Sequence, residues 1–215
     1  MVELLGYFGD DLMVVNAARV SFNKYKKILD YSDERLIRFL IKRKHTSPLR
    51  HPQLQFRISC PVYVERQLFK HQVGMSANSI SARYVDFSDS YTSIKTWRKQ
   101  STSSKQGSEG EVDDQKTCRE LENNVINLCR NTYNKLLELG VSKEQARTIL
   151  PLNLNTTFIW TGSLLAYLHL FNLRIKSDAQ AETREVAEAM LDSVINLKDR
   201  PFSKVITAWQ ELKNV

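Results

Sequence analysis

A chain of 215 residues, 42% hydrophobic and 26% charged with few Gly and Pro, has the make-up of a globular protein able to bury one sizeable core. No apolar run approaches the ~20 residues that span a bilayer, which excludes a membrane helix. The net charge of +7 favours a phosphate-bearing partner, but Lys and Arg are dispersed and no RRM, zinc-finger or KH signature occurs, so nucleic acid is the weaker candidate.

The opening MVELLGYFGDD is acidic and lacks the basic start and long apolar stretch of a leader, so cytoplasm is the expected location. Ser32 to Lys44 reads as a helix with Leu36, Ile37, Leu40 and Ile41 as its apolar stripe. Pro48 and Pro52 break the chain after it. Strict alternation from Leu54 to Cys60 predicts a half-buried strand, and Pro61 suits the first turn of a helix from Val62 to Gln72, stopped by Gly74. The serine-rich stretch that follows is expected to be a turn or loop. Ser88 to Gln115, polar and poor in aliphatics, predicts a long, partly mobile excursion able to close over a ligand. A long amphipathic helix then runs to Glu138, its apolar side formed by Cys118, Leu121, Val125, Leu128, Cys129, Leu136 and Leu137, and Gly140 ends it. Ser142 and Gln145 form a capping box for the next helix. Helices over Thr157 to Leu173 and Ala179 to Leu197 follow, and a last one carries Phe202, Val205, Ile206, Trp209 and Leu212. The class is α+β.

The chemistry concentrates in RQLFKHQVGMSANSISARY, from Arg66 to Tyr84. A core-facing segment could not satisfy so many polar groups, each costing roughly 1–3 kcal/mol if buried unpaired. Serines around Arg83, with backbone N–H groups nearby, suit a phosphate. Gln67 and Asn78 offer paired donors and acceptors to the edge of a planar ring. His71 beside Lys70 suits a phosphate or a ring carbonyl better than a metal, and no metal site is expected. Arg174 stands just past a strongly apolar helix, where a guanidinium needs an anionic or carbonyl partner. Cys60, Cys118 and Cys129 have no CxxC spacing and no clustered histidines, so neither zinc nor a disulfide framework is indicated, and all three read as structural thiols.

With AARVSF at 17–22, HTSPLRH at 45–51, SANSISARY at 76–84, ARTILPLNL at 146–154, NLR at 172–174 and DAQAE at 178–182 in this order, the chain resembles the flavin-dependent thymidylate synthases, the ThyX family. The resemblance implies one catalytic domain over 1–215, with a small antiparallel sheet packed against long helices. It implies methylation of dUMP with methylenetetrahydrofolate as carbon donor, reduced FAD as hydride source and NADPH to reload it, in a homotetramer whose sites form between subunits. By the same resemblance, Arg174 stabilises the ionised pyrimidine. Gln67, Lys70, Ser79, Ser81, Ala82, Arg83 and Arg147 join Arg174 in gripping dUMP. His45, Ser47, Lys70, His71, Gln72, Asn78, Ser79, Ser163, Leu165 and His169 match positions that hold FAD. The chain departs from the family pattern in three places. Lys70, His71 and Gln72 stand for Arg-His-Arg, Ser79 for a glutamate, and Leu165 and His169 for an arginine and an asparagine. Two other readings stay open: transfer of a different one-carbon group to a pyrimidine nucleotide, and a nucleic-acid-binding homologue without the chemistry.

Overall fold

The computed structural model describes residues 1–85 and 90–213. In chain order it contains β1 (Val2–Phe8), α1 (Asp11–Arg19), α2 (Tyr31–Lys42), β2 (Gln53–Pro61), α3 (Val62–Leu68), β3 (Met75–Ser79), β4 (Arg98–Gln100), β5 (Ser108–Glu111), α4 (Gln115–Glu138), α5 (Lys143–Ala146), β6 (Asn155–Ser163), α6 (Leu164–Arg174), α7 (Ala181–Ile195) and α8 (Ser203–Lys213). β1, β2, β6 and β3 form one sheet in that order, with every pairing antiparallel. Helices cover one face of it, giving the expected α+β arrangement. No helix among the described residues is long and apolar enough to cross a membrane.

The sheet face that packs is set by period-two alternation. Leu54, Phe56, Ile58 and Cys60 of β2 lie buried beside Phe158 and Trp160 of β6. They join Tyr167, Leu168 and Phe171 of α6, Met190 and Val194 of α7, Val205 and Trp209 of α8, Ile37 of α2 and Val14 of α1 in one core. The opposite face is polar: Gln55 Nε2 donates to Thr161 Oγ1 at 2.9 Å, and the Ser59 and Thr157 hydroxyls lie 2.7 Å apart.

Several expected elements change. The helix predicted from Thr157 onward begins as β6, because the run TTFIWT is β-branched and aromatic and pairs along its whole length with β2. The serine-rich motif is a turn only in its second half, where Tyr84 N donates to the Ser81 carbonyl at 3.0 Å. Met75 to Ser79 form an edge strand on β6, which supplies the backbone bonds that its small polar side chains could not signal. The helix at 62 ends at Leu68 instead of Gln72, so Lys70, His71 and Gln72 lie in the connection to β3. Gly74 turns that connection with φ +75°, and Gly162 lets it pass, since a Cβ there would meet Met75 Sδ at 2.2 Å and the Gly74 carbonyl oxygen at 3.0 Å.

Within the polar excursion the structure shows a hairpin of β4 and β5. Its turn is tied by Gln100 Nε2 to the Gly107 carbonyl at 3.0 Å and by Glu109 to Ser101 and Thr102. Ser88 and Asp89, at the start of that excursion, lie outside the described residues. Along α4, Leu121, Val125 and Leu128 are exposed, and the residues buried are Ile126 and Tyr133. Cys118, Cys129, Leu136 and Leu137 are half-buried, so the expected apolar side is covered in part within one chain. Ser142 makes no side-chain cap to α5, whereas Gly140 ends α4 as expected, with φ +82°.

Asp11 sits almost completely buried and caps α8, accepting from Lys204 N at 2.7 Å and Val205 N at 3.0 Å. Burial pushes its carboxyl up to about 6, against the pull of those two N–H groups. A raised carboxylate binds more protons folded than unfolded between pH 3.8 and about 6, so its contribution to stability falls as pH rises through that window. Chemical denaturation of the wild type and D11N from pH 4 to 7 is expected to show this loss in the wild type alone.

Candidate active site

Three clusters of the expected residues take shape. The first is built at the ends of two helices. α6 buries Leu164, Tyr167, Leu168, Leu170 and Phe171, so its one cation, Arg174, emerges at the last position. There its Nε donates to His71 Nε2 and its Nη2 to the Gln67 carbonyl, both at 3.0 Å. The His71 imidazole is held below its ordinary range, first by burial and then by Arg174 and His169. It is therefore neutral at pH 7 and able to accept the arginine's proton donor. Gln67, in the last turn of α3, is anchored through its amide: Oε1 accepts the Thr183 hydroxyl at 3.0 Å and Nε2 donates to Gln180 Oε1.

The second cluster surrounds Glu144. Arg83 Nε lies 3.4 Å from its carboxylate, and Arg147 Nε donates to its carbonyl at 3.4 Å. The Arg83 N–H also bonds the Ser81 hydroxyl at 3.2 Å, and its guanidinium lies over the Tyr84 ring. Ala82 is half-buried between them in sequence. Glu144 thus pairs with Arg83 across the site, although Arg147 stands only three residues further along the chain. With both side chains more than half exposed, that pair is weak and yields readily to a stronger anion. Tyr84, whose carbonyl accepts from Lys143 Nζ at 3.4 Å, ties the motif to α5.

Next along β3, Asn78 is exposed and Ser79 Oγ donates to Glu65 Oε1 at 2.8 Å. Burial raises the Glu65 carboxyl, opposed by that hydroxyl. A carboxylate thus stands beside the serine that replaces the family's glutamate, delivered from α3. Sequence reading missed it because only the pairing of β3 with β6 brings residues fourteen apart together.

The third cluster is a groove of about 630 Å³ lined by Leu40, Thr46, Leu49, Leu165, Leu168 and His169, with Lys42 and Lys44 also on its wall. His45 packs edge-on against Phe39 at 5.4 Å beside it, and Ser47 opens the short 3-10 turn that follows. Ser163 is buried and caps α6, its Oγ accepting from Ala166 N at 3.2 Å. Lys70 and Gln72 are exposed in the connection. A mostly apolar floor with two ammonium groups fits a flat ring bearing phosphate, and the volume is that of an ordinary cofactor cleft. Cys60, buried beneath the sheet, has its thiol pushed up to about 12 by burial and then by Glu65, so it is no nucleophile.

The chain that builds this sheet, with an arginine at the end of α6 and a serine-rich motif on its edge strand, is matched over residues 3–197 by the model of the thymidylate synthase complementing proteins. A flavin-dependent thymidylate synthase of Thermus thermophilus is 37% identical over 193 residues, covering 90% of this chain and 70% of that protein. One from Thermotoga neapolitana is 36% identical over 189 residues, covering 88% and 82%. The crystal structure of a UMP/dUMP methylase, PolB from Streptomyces cacaoi, bound with 5-Br dUMP, superimposes with a TM-score of 0.88 at 26% identity, covering 100% of this chain and 96% of that one. The chain belongs to the flavin-dependent thymidylate synthase family.

Proposed function

We propose that this enzyme methylates dUMP to dTMP, with 5,10-methylenetetrahydrofolate as carbon donor, FAD as its flavin and NADPH as the source of reducing equivalents. In this reading it works in the cytoplasm as a homotetramer whose sites are completed between subunits. The observation that carries the proposal is the seating of Arg174 by neutral His71 and the Gln67 carbonyl. Those two contacts use part of the guanidinium fork and leave its remaining donors for the pyrimidine, whose developing negative charge a permanent cation stabilises.

Ser81, Arg83 and Arg147 hold the phosphate, which displaces the exposed Glu144 carboxylate from Arg83. Gln67, Ala82, Lys70 and Ser79, with Glu65 behind it, orient the rest of the nucleotide. Leu165 and His169 line the groove that would take the flavin ring, His45 and Ser47 flank its Thr46 in the chain, and His71, Gln72, Asn78 and Ser163 are the further residues that the family resemblance assigns to the flavin. The flavin, when bound, supplies the hydride, and no cysteine of the chain is called upon. A dispersed positive charge then serves phosphate-bearing substrates.

The visible spectrum of FAD-loaded protein during titration with dUMP tests this reading. A spectrum perturbed at about one dUMP per subunit, followed by dTMP formation with methylenetetrahydrofolate and NADPH, is the expected outcome. Flavin that ignores dUMP refutes it. A second reading, in which UMP is also an acceptor, is favoured by the full-length likeness to a methylase solved with both 5-Br dUMP and 5-Br UMP. Running the same assay with UMP decides it by product.

A further inference from the structure

Gln67 is linked to the hairpin of the polar excursion through a chain of directed hydrogen bonds. From β4, Arg98 Nη2 closes on both oxygens of Glu182 at 2.8 and 3.1 Å. Glu182 Oε2 also accepts from Gln180 Nε2 at 2.9 Å. Gln180 Oε1 accepts from Gln67 Nε2, and Gln67 Oε1 accepts the Thr183 hydroxyl at 3.0 Å.

The polarity of this chain has one origin. An ionised carboxylate only accepts, so Gln180 must turn its NH₂ to Glu182 and its carbonyl to Gln67. Gln67 must then offer NH₂ to Gln180 and its carbonyl to Thr183. The Thr183 hydroxyl, fully buried, can donate or accept and so follows the polarity without setting it. Burial opposes charge on Glu182, but the bonds from Gln180 and Arg98 prevail and hold its carboxyl below the ordinary range.

We infer that Glu182, seated by Arg98, is a positioning residue that sets the amide orientation of Gln67, so that this glutamine presents its second N–H, and not its carbonyl oxygen, to the nucleotide. The inference rests on the reading of Gln67 as a nucleotide contact. With a neutral amide in place of Glu182, both directions become available and Gln67 spends part of its time turned the wrong way.

Calorimetric titration of FAD-loaded protein with dUMP compares the wild type, E182Q and Q180E/E182Q, with thermal midpoints checking that each is folded. E182Q is expected to weaken dUMP binding about 10-fold, within the range for a mispaired polar group in a covered site, and to raise KM for dUMP more than it lowers kcat. Q180E/E182Q places the carboxylate directly against Gln67 Nε2 and is expected to recover affinity to within about threefold of wild type. A merely structural ion pair would give no such rescue, because the double variant still lacks the carboxylate opposite Arg98. E182Q that binds dUMP as well as the wild type, or a double variant no better than E182Q, overturns the inference. Wild type that does not take dUMP brings down the proposed function, and the inference with it.

Discussion

Replacing Arg174 with alanine is expected to lower the rate of dTMP formation by about 10²- to 10³-fold, the scale on which one preorganised donor at a charge-developing atom contributes. The side chain sits at the end of a helix whose other turns are locked into the core, and two of its donors are already fixed at 3.0 Å on His71 and the Gln67 carbonyl. A guanidinium so constrained reorganises little when charge appears on the pyrimidine. R174K keeps the charge but offers a compact ammonium without the planar fork, so it is expected to recover only a small part of the loss. Single-turnover measurement separates this effect from substrate binding. A variant within tenfold of wild type at saturating dUMP would remove Arg174 from the chemistry.

W160A is expected to destabilise the fold by about 4 kcal/mol, a fall of roughly 10 °C in the thermal midpoint for a chain of this size. Trp160 is 1% exposed, and its ring lies 5.7 Å from Phe69, 6.0 Å from Phe158 and 5.9 Å from Tyr167 in largely edge-to-face arrangements. Its removal leaves a cavity that β6, held in pairing on both sides, has little freedom to close. Y167F is the milder companion. It withdraws only the hydroxyl that donates to the Trp160 carbonyl at 2.8 Å, a loss of about 1 kcal/mol. Denaturant melts of the two variants should differ severalfold in effect. Equal, small losses would mean that the aromatic cluster is not where the sheet is held to its helices.

Much of the site was legible in residue types before any geometry. Serines around an arginine pointed to phosphate, and an arginine beyond an apolar helix called for a carbonyl or anionic partner; Arg174 meets the Gln67 carbonyl and, beyond what was expected, the His71 imidazole. What could not be read was which carboxylate or amide meets which. Glu144 has Arg147 three residues on, yet its carboxylate faces Arg83. Glu65 reaches Ser79 and Arg98 reaches Glu182 across 84 positions. Such pairs leave no periodic trace, because each joins elements that only the sheet and helix packing bring together.

By itself the sequence determined the family, through motifs in order along the chain, and also the alternation that buries one face of β2, the helix expected over Ser32 to Lys44 and found at Tyr31–Lys42, and the glycine that stops α4, each written in spacing within a few turns of chain. The tertiary structure decided that 75–79 and 155–163 are strands, that α3 stops before Lys70, and that a hairpin in the excursion connects to Gln67. Those outcomes depend on backbone hydrogen bonds and buried partners supplied from distant segments. A short polar stretch such as 75–79 carries no local preference strong enough to oppose them, and the β-branched, aromatic run of 155–163 takes up its strand preference where β2 and β3 pair with it.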